Sequence, residues 1–467
     1  MDFNDTSYAA LIEDLFSRHP SVQSAGFKAG AYKPGLDGMT GFDQSLGSPW
    51  KRFRSVHVAG TNGKGSVSSM LASALAATGL RVGLYTSPHL VDFRERIKII
   101  EMTGDNASSS MSMITKEAVW EFLTEQYTEG LSFFEITTGM AFWWFARQEV
   151  DVAVIEVGLG GRLDSTNIIT PELSIVTSIG LDHCALLGDT RAEIAAEKAG
   201  IFKPGVPALV ATTDDETAPV FEKIAAGVHC PLFFADEFAQ GQCCDTSGKT
   251  SAALHPSQQS WAPPVYEITG DYGFTEVSPA HPGNCANSHK LDLEGPCQSI
   301  NLRTVLAALD LMGVDPDMDA ICHTASITGL HGRWERLMDS PEVICDIGHN
   351  PAALKINFER LDALGRPLFI VYGIMADKDL DGIAPLMPSG AHYFLAAPAT
   401  ERSLGTDALQ ERLRTLRPDI LAEAAASVAE AVRMAVEAAS DTAGALVYIG
   451  GSTFVVSEAV TSLHINI

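Results

Sequence analysis

Basic residues are scarce in this chain: 32 Lys and Arg stand against 58 Asp and Glu, a formal charge of −26 over 467 residues. That deficit argues against a general nucleic-acid or anionic-membrane surface, because both need a basic footprint. An anionic substrate would have to be drawn in by a local patch of cations and metal, against the average field. Long hydrophobic runs are missing too; no stretch approaches the ~20 apolar residues needed to cross a bilayer. Eight cysteines lie between Cys184 and Cys345 without a C-x-x-C pair, which fits neither a zinc ribbon nor a redox motif and suits free thiols in a reducing cytoplasm. The first twenty residues carry Asp2, Asp5, Glu13 and Asp14 and no unbroken apolar core, so no signal peptide is expected. No internal repeat is evident.

What is present describes a well-packed globular protein, 46% apolar and 19% charged, whose length implies two domains. Tyr8–Phe16 reads as a short amphipathic helix with Leu11, Ile12, Leu15 and Phe16 on one face. Gly26–Pro49, rich in glycine and turn residues, reads as a long loop. From Ser55 onward, strands and helices alternate. Strands are expected at Val56–Val58, Arg81–Thr86, Asp151–Val157 and Leu173–Ile179. Helices are expected after Val67, ended by Gly79, and at Phe134–Arg147. Apolar strands alternating with helices imply an α/β fold with a parallel sheet covered on both faces. Asp236–Lys290 changes character, with much Ser, Gly, Pro, Cys and His and only short strand-like pieces such as Val265–Ile268, and reads as an irregular insertion or a small antiparallel flap rather than a domain. Asn301–Met312 resumes as a helix. A second α/β series follows, with strands at Val343–Ile347, Leu368–Ile374, His392–Ala396 and Ala445–Ile449. Helices are expected at Ala352–Leu364, Thr406–Leu416 and Ser427–Ala439. The expected division is a P-loop-containing, parallel-sheet ATPase domain over 1–329, with the insertion at about 236–290, and a smaller Rossmann-like domain over 330–467.

The strongest local motif is Gly60-Thr61-Asn62-Gly63-Lys64-Gly65-Ser66, set between a strand and an amphipathic helix. Glycines let the backbone curl so that its N–H groups and the helix N-terminus face a phosphate chain. Lys64 can reach the β- and γ-phosphates, and the Ser66 hydroxyl can take a place on Mg²⁺. The strict G-x-x-x-x-G-K-[ST] pattern is broken by Gly65, so a bare glycine-rich turn is the competing reading. Glu156 ends a strand and precedes Gly158-Leu159-Gly160-Gly161-Arg162, where P-loop proteins hold the metal of the nucleotide. Ser87 and His183 follow two other strands of the same sheet. Carboxyl ends of parallel strands meet along one edge, so Ser87, Glu156 and His183 are candidate metal ligands, although each alone also reads as a cap, ion pair or surface histidine.

These motifs, with Tyr85-Thr86-Ser87-Pro88-His89-Leu90, Ser132-Phe133-Phe134-Glu135, Glu156–Asn167, Leu181-Asp182-His183, Glu197–Phe202, Gly332-Arg333 and Asp346–Pro351, resemble the folylpolyglutamate synthase/dihydrofolate synthase branch of the Mur ligase superfamily over nearly the whole chain. The resemblance implies Mg²⁺ ligands at Ser87, Glu156 and His183, beside the Ser66 hydroxyl of the glycine-rich turn. It also implies a carbamylated lysine (N6-carboxylysine) at Lys198 serving a second Mg²⁺. Nucleotide contacts are implied at Gly60 through Ser66 and at Asn301, Arg333 and Asp346. It puts a pteroate pocket at Ser132, Phe133, Phe134 and Glu135, with Arg162 and Asp164. Phe133 and Phe134 offer flat apolar surface, and Glu135 an acceptor for an amino-pyrimidine edge. His349 and Ser452 fall on the glutamate side, and His349 joins Lys64, His183 and Lys198 as a catalytic candidate. The implied activity is an ATP-dependent amide ligase joining L-glutamate to dihydropteroate or a reduced folate through an acyl phosphate. The expected partners are these small molecules alone, on a cytoplasmic monomer.

Two departures stand out: His331 where the family usually has proline, and an Asp236–Lys290 stretch longer than expected. Another superfamily ligase, acting on a cell-wall nucleotide precursor, and a P-loop regulatory ATPase are the rival readings. For Lys198 the local signal is a Thr190–Glu193 capping box, which predicts a helix over Arg191–Ala199 with Gly200 as its C′ residue.

Overall fold

The computed structural model describes residues 3–19, 35–103, 108–238, 266–269, 276–279 and 289–463. Eight strands form the first sheet: β1 (Arg54–Ala59), β2 (Val82–Tyr85), β3 (Ile97–Thr103), β4 (Ser108–Met113), β5 (Val152–Glu156), β6 (Leu173–Val176), β7 (Ala208–Val210) and β8 (Leu232–Phe234). Their spatial order is β4-β3-β2-β5-β1-β6-β7-β8, parallel from β2 through β8. Every residue of β2, β5, β6, β7 and β8 is buried, which is why these strands are apolar runs without alternation. One face packs on the helix Lys64–Ala77 and the helix Cys297–Met312. The other packs on the aromatic helix Phe133–Arg147.

β3 and β4 extend the sheet antiparallel beyond β2. Sequence patterning missed both, because β4 is a serine-rich edge with no apolar run. The stretch read as a loop over Gly26–Pro49 needs correction. Its residues 26–34 lie outside the described ones, but Asp37–Ser45 is a helix. Met39 and Phe42 are buried there, and Phe42 meets Phe122 edge-on at 6.0 Å. Tertiary burial outweighs the weak helix preference of Gly38 and Gly41. The insertion contributes three short strands, β9 (Tyr266–Thr269), β10 (Glu276–Pro279) and β11 (His289–Lys290), paired antiparallel in the order β11-β10-β9. Most of the expected Asp236–Lys290 excursion, Val265 included, lies outside the described residues.

The second sheet holds β12 (Glu335–Asp339), β13 (Glu342–Cys345), β14 (Leu368–Tyr372), β15 (His392–Leu395), β16 (Leu421–Ala424) and β17 (Leu446–Gly450) in the order β12-β13-β17-β14-β15-β16. Only the β12–β13 pair is antiparallel. The helices Pro351–Ala363, Thr406–Leu416 and Val428–Ser440 cover its two faces. The fold is therefore two mixed, mainly parallel α/β layers. In the first sheet Val58 is in register with Glu156 and Ile175, and Tyr85 with Ile155, so the carboxyl ends of β1, β2, β5 and β6 finish level.

Candidate active site

The glycine-rich turn leaves β1 and enters the helix Lys64–Ala77 at Gly63, whose φ is +90°. A Cβ on Gly63 would lie 2.4 Å from Asn301 Oδ1, so only glycine fits the turn against the helix Cys297–Met312. The hydroxyls of Thr177 and Ser178, just past β6, donate to Asn62 O at 2.7 and 3.0 Å and fix the curl. Lys64 Nζ folds back onto the carbonyls of Gly60 and Thr61 at 3.1 and 3.2 Å. Lys198 Nζ donates to the same Gly60 carbonyl at 2.8 Å.

The helix carrying Lys198 runs Arg191–Ala199 with its Thr190–Glu193 capping box in place, as the local signal predicts. Gly200 is different. It is right-handed, φ −60°, and serves close approach: a Cβ there would lie 2.5 Å from Arg162 Cα. Lys198 is buried, and burial first, then the neighbouring Lys64 charge, brings its amine down to about 7.

Ser87, Glu156, Ser66 and His183 gather beside this loop. Ser87 N–H donates to Glu156 Oε2 at 3.3 Å, across a sheet edge where the Ser87–Pro88 peptide is cis. Burial pushes the Glu156 carboxyl up to about 7, against the opposing charges of Lys64, Arg333 and Arg96. Ser66 is buried. His183 sits in the left-handed region at φ 53°, a strained conformation for a non-glycine residue. Burial lowers its imidazole to about 4, so at neutral pH it is uncharged. Among the described residues no group of three or more His, Cys, Asp or Glu forms a ready cage for an ion. The gathered set mixes hydroxyl, carboxylate, imidazole and lysine.

A cavity of about 250 Å³ opens here. Its walls bring together Lys64, Ser87, Lys198 and His183 with Ser132, Phe133, Phe134 and Asp164, and with His349 and Ser452 from the second domain. Two pocket candidates lie elsewhere. Glu135 does not line the cavity; its carboxylate closes a capping box, accepting from Ser132 N–H at 2.7 Å and Ser132 Oγ at 2.8 Å. Arg162 does not line it either. Its half-exposed guanidinium pairs outward with Glu197 at 2.8 Å. In each case the side chain has a partner at the start of its own helix or on an adjacent one. Asp164 does face the cavity, but its oxygens also accept from Leu159 N–H at 2.8 Å and Thr166 N–H at 3.0 Å.

The second domain closes the other side. Asp182 Oδ1 accepts from Lys378 Nζ at 2.6 Å, while His349 Nε2 lies 3.4 Å and Asn350 Nδ2 3.3 Å from its Oδ2. Asn350 and Asn62 form a reciprocal amide pair at 3.0 and 3.3 Å. Arg333 lies against the glycine-rich turn; a Cβ on Gly65 would meet its Nη2 at 3.1 Å. His331, in the position where proline is usual, pairs with Glu335 at 2.8 Å and braces the turn that carries Arg333. Asp346 accepts from Trp334 N–H, Gly348 N–H and Asn357, which occupies it in shaping that turn. Asn301 takes Gln298 as a partner at 2.8 Å beside Gly63. Ser452 caps the helix Thr453–Ser462. Lys378, Arg402 and Arg96, all on the cavity wall, were not singled out from sequence. Lys378 lies in an ordinary-looking Asp-Lys-Asp run, and no local pattern marks the two arginines.

A P-loop sheet whose metal-ligand candidates and lysines are met by a second α/β domain defines the Mur ligase class. Family models agree: residues 58–243 match the Mur ligase middle domain and residues 332–453 the Mur ligase glutamate ligase domain. The chain is 33% identical over 387 residues to the folylpolyglutamate synthase of Lacticaseibacillus casei, covering 79% of this chain and 83% of that one. It therefore belongs to the folylpolyglutamate synthase/dihydrofolate synthase family. It is also 33% identical over 439 residues to a probable bifunctional folylpolyglutamate synthase/dihydropteroate synthase of Halobacterium salinarum. That match covers 92% of this chain but about half, 49%, of the longer relative. The Yersinia pestis bifunctional folylpolyglutamate synthase/dihydrofolate synthase complexed with AMPPNP and Mn ion superposes with a TM-score of 0.74 at 25% identity, over 98% of both chains.

Proposed function

We propose that this chain is an ATP-dependent carbon–nitrogen ligase that joins L-glutamate to dihydropteroate, to the γ-carboxylate of reduced folate polyglutamates, or to both. The observation that carries the reading is a single cavity. It has a phosphate-binding turn on one wall, the aromatic pair Phe133 and Phe134 on another, and Lys378, His349 and Ser452 of the second domain on a third. A carboxylate is a poor acyl donor. The acid's oxygen would first take the γ-phosphoryl group, releasing ADP. The glutamate amine would then attack the acyl carbon, and phosphate would leave. Lys64, freed from Gly60 O, would follow the transferring phosphoryl group, and Arg333 would approach it from the second domain. Closure of the two domains would keep water from the acyl phosphate.

The residues fit a divalent cation: Glu156 is a buried carboxylate beside the Ser87 N–H, raised by desolvation even against the charges of Lys64, Arg333 and Arg96. Ser66, Ser87, Glu156 and His183 would hold Mg²⁺, with Lys198 as a carbamate serving a second ion. The metal supplies charge neutralisation on the phosphates. Lys198 suits that modification: a buried amine at about 7 is partly neutral at physiological pH and can bond to CO₂, releasing a proton. We further place the domain division near residue 330, Asn301, Arg333 and Asp346 on the nucleotide side, and the protein in the cytoplasm as a monomer. No helix among the described residues is long and apolar enough to cross a membrane.

The test is purified protein with ATP, Mg²⁺, glutamate and each pteridine acid in turn, with products identified by mass. Sustained ADP turnover should need acid and amine together, with little ADP formed until both are present. ADP release independent of both would favour a regulatory ATPase, and a product from a non-pteridine acid alone would favour another Mur ligase.

A further inference from the structure

Arg96 is a buried cation on the cavity wall, 3% exposed, at the end of the short turn Phe93–Arg96. Its backbone is fixed from both sides. Arg96 O accepts from Thr86 N–H at 3.0 Å, and the Glu95 carboxylate gathers the N–H groups of Leu90, Val91 and Asp92 at 2.7, 2.8 and 2.5 Å. Its side chain is fixed as well. Nε donates to His89 Nδ1 at 2.8 Å, and the guanidinium lies over the Phe133 ring at 5.3 Å.

The location is specific. Phe133 belongs to the aromatic wall. Ser87, on the same loop as Arg96, bonds Glu156 beside the phosphate-binding turn. Arg96 thus stands where the aromatic wall meets the phosphate side. In a ligase that activates a carboxylate, the carboxyl group of the acid must lie at that junction, because one end of the acid rests on the rings and the other must reach the γ-phosphate.

We propose that Arg96 binds the carboxylate of the pteridine acid that is to be phosphorylated and stays on its carbonyl oxygen as the acyl phosphate forms, with His89 as the positioning residue that aims it. This rests on the ligase reading above and names a residue for its acid substrate. A guanidinium suits the task, since its planar fork matches a carboxylate and it holds its charge without solvent.

The test compares wild type, Arg96→Gln, Arg96→Lys and His89→Gln. Steady-state kinetics are varied separately in acid, ATP and glutamate, and binding is titrated with dihydropteroate and with the same pteridine lacking its carboxylate. In Arg96→Gln the KM for the acid should rise roughly tenfold or more, as expected when a charge-assisted hydrogen bond is lost. The KM for ATP should stay unchanged, and the preference for the acid over its decarboxylated form should collapse. His89→Gln should show the same pattern more weakly, and Arg96→Lys should recover part of the preference. An unchanged acid preference in Arg96→Gln, or equal rises in acid and ATP KM, overturns the proposal. Should Arg96→Gln fail to fold, the acid KM of Arg96→Lys decides: a wild-type value overturns it. A wild-type protein that couples no ATP to any pteridine acid removes the ligase reading and this inference together. An active wild type with an indifferent Arg96 removes only the inference.

Discussion

Lys64 and Lys198 donate to one acceptor, the carbonyl oxygen of Gly60, at 3.1 and 2.8 Å. Two ammonium groups that close repel each other, and burial, then that repulsion, loosens the proton of Lys198. An anion between them, phosphate or a carbamate, relieves the repulsion. Lys64→Ala should therefore leave the fold intact and lower turnover on the order of 10²-fold or more. ADP release and thermal melting check this; near wild-type turnover in a folded variant would remove Lys64 from phosphoryl transfer.

Lys198→Ala should also lose activity, and a short-chain acid such as acetate should restore part of it by supplying the missing oxygen ligand. Intact mass under CO₂ should show the modified lysine in wild type. An unmodified amine in the active, Mg²⁺-loaded enzyme would refute the assignment.

Asp182 and Lys378 are separated by 196 residues and bond at 2.6 Å, each side chain 11% exposed. Burial alone would raise the Asp182 carboxyl, but the hydrogen bond from His349 and the charge of Lys378 outweigh it and hold it well below the carboxylate range. A double-mutant cycle with Asp182→Asn and Lys378→Met should show coupling of about 1–3 kcal/mol. Each single variant should lower kcat/KM for glutamate at least tenfold. Additive effects on stability would mean that the pair does not couple the domains.

Glu135→Ala should cost stability of about 1 kcal/mol, the worth of a helix cap, and raise the KM for the pteridine acid only slightly. Chemical denaturation beside steady-state kinetics separates the two. A large KM effect at unchanged stability would return Glu135 to the pocket wall.

His57 is fully buried, its Nε2 2.8 Å from Thr166 Oγ1, and burial followed by the Lys203 charge lowers it from 6.5 to about 3. Above pH 6.5 neither folded nor unfolded chain protonates it. Between 6.5 and 3 only the unfolded chain does, so native stability falls as pH falls, by about 1.4 kcal/mol per pH unit from this group. His57→Gln should make the acid limb shallower by that slope in urea melts from about pH 6.5 to 4. An unaltered limb would mean that His57 takes up its proton in the folded state.

The parallel core was legible because β5 and β6 are buried on both faces and so are mainly apolar runs, with Glu156 at the end of β5 and Ser174 as their polar members. The Lys198 helix was legible because Thr190 and Glu193 act within one turn. The glycine-rich turn announced itself by position, between β1 and a helix. What escaped was whatever depends on a distant partner. Glu135 and Arg162 read as pocket residues, yet Ser132 and Glu197 claim them. Asp182 and Lys378 carry no mark of each other. Arg96 follows a Glu95 whose three backbone acceptances become visible only once the loop is folded. The helix Asp37–Ser45 hid behind two glycines and shows itself through the burial of Met39 and Phe42.

The reciprocal amide pair between Asn62 and Asn350 has a different temper from the ionic contacts around it. Both groups are neutral, so their attraction does not rest on charge, whereas the Asp182–Lys378 bond does, sheltered as it is at 11% exposure of each side chain. Asn62 belongs to the glycine-rich turn, and Asn350 is the N-cap of the helix Pro351–Ala363 in the second domain. A shift of the glycine-rich turn would thus be passed to the second domain through a contact between neutral groups. A chain carrying so large a negative charge gains a way to register its two halves that does not depend on the ions around it.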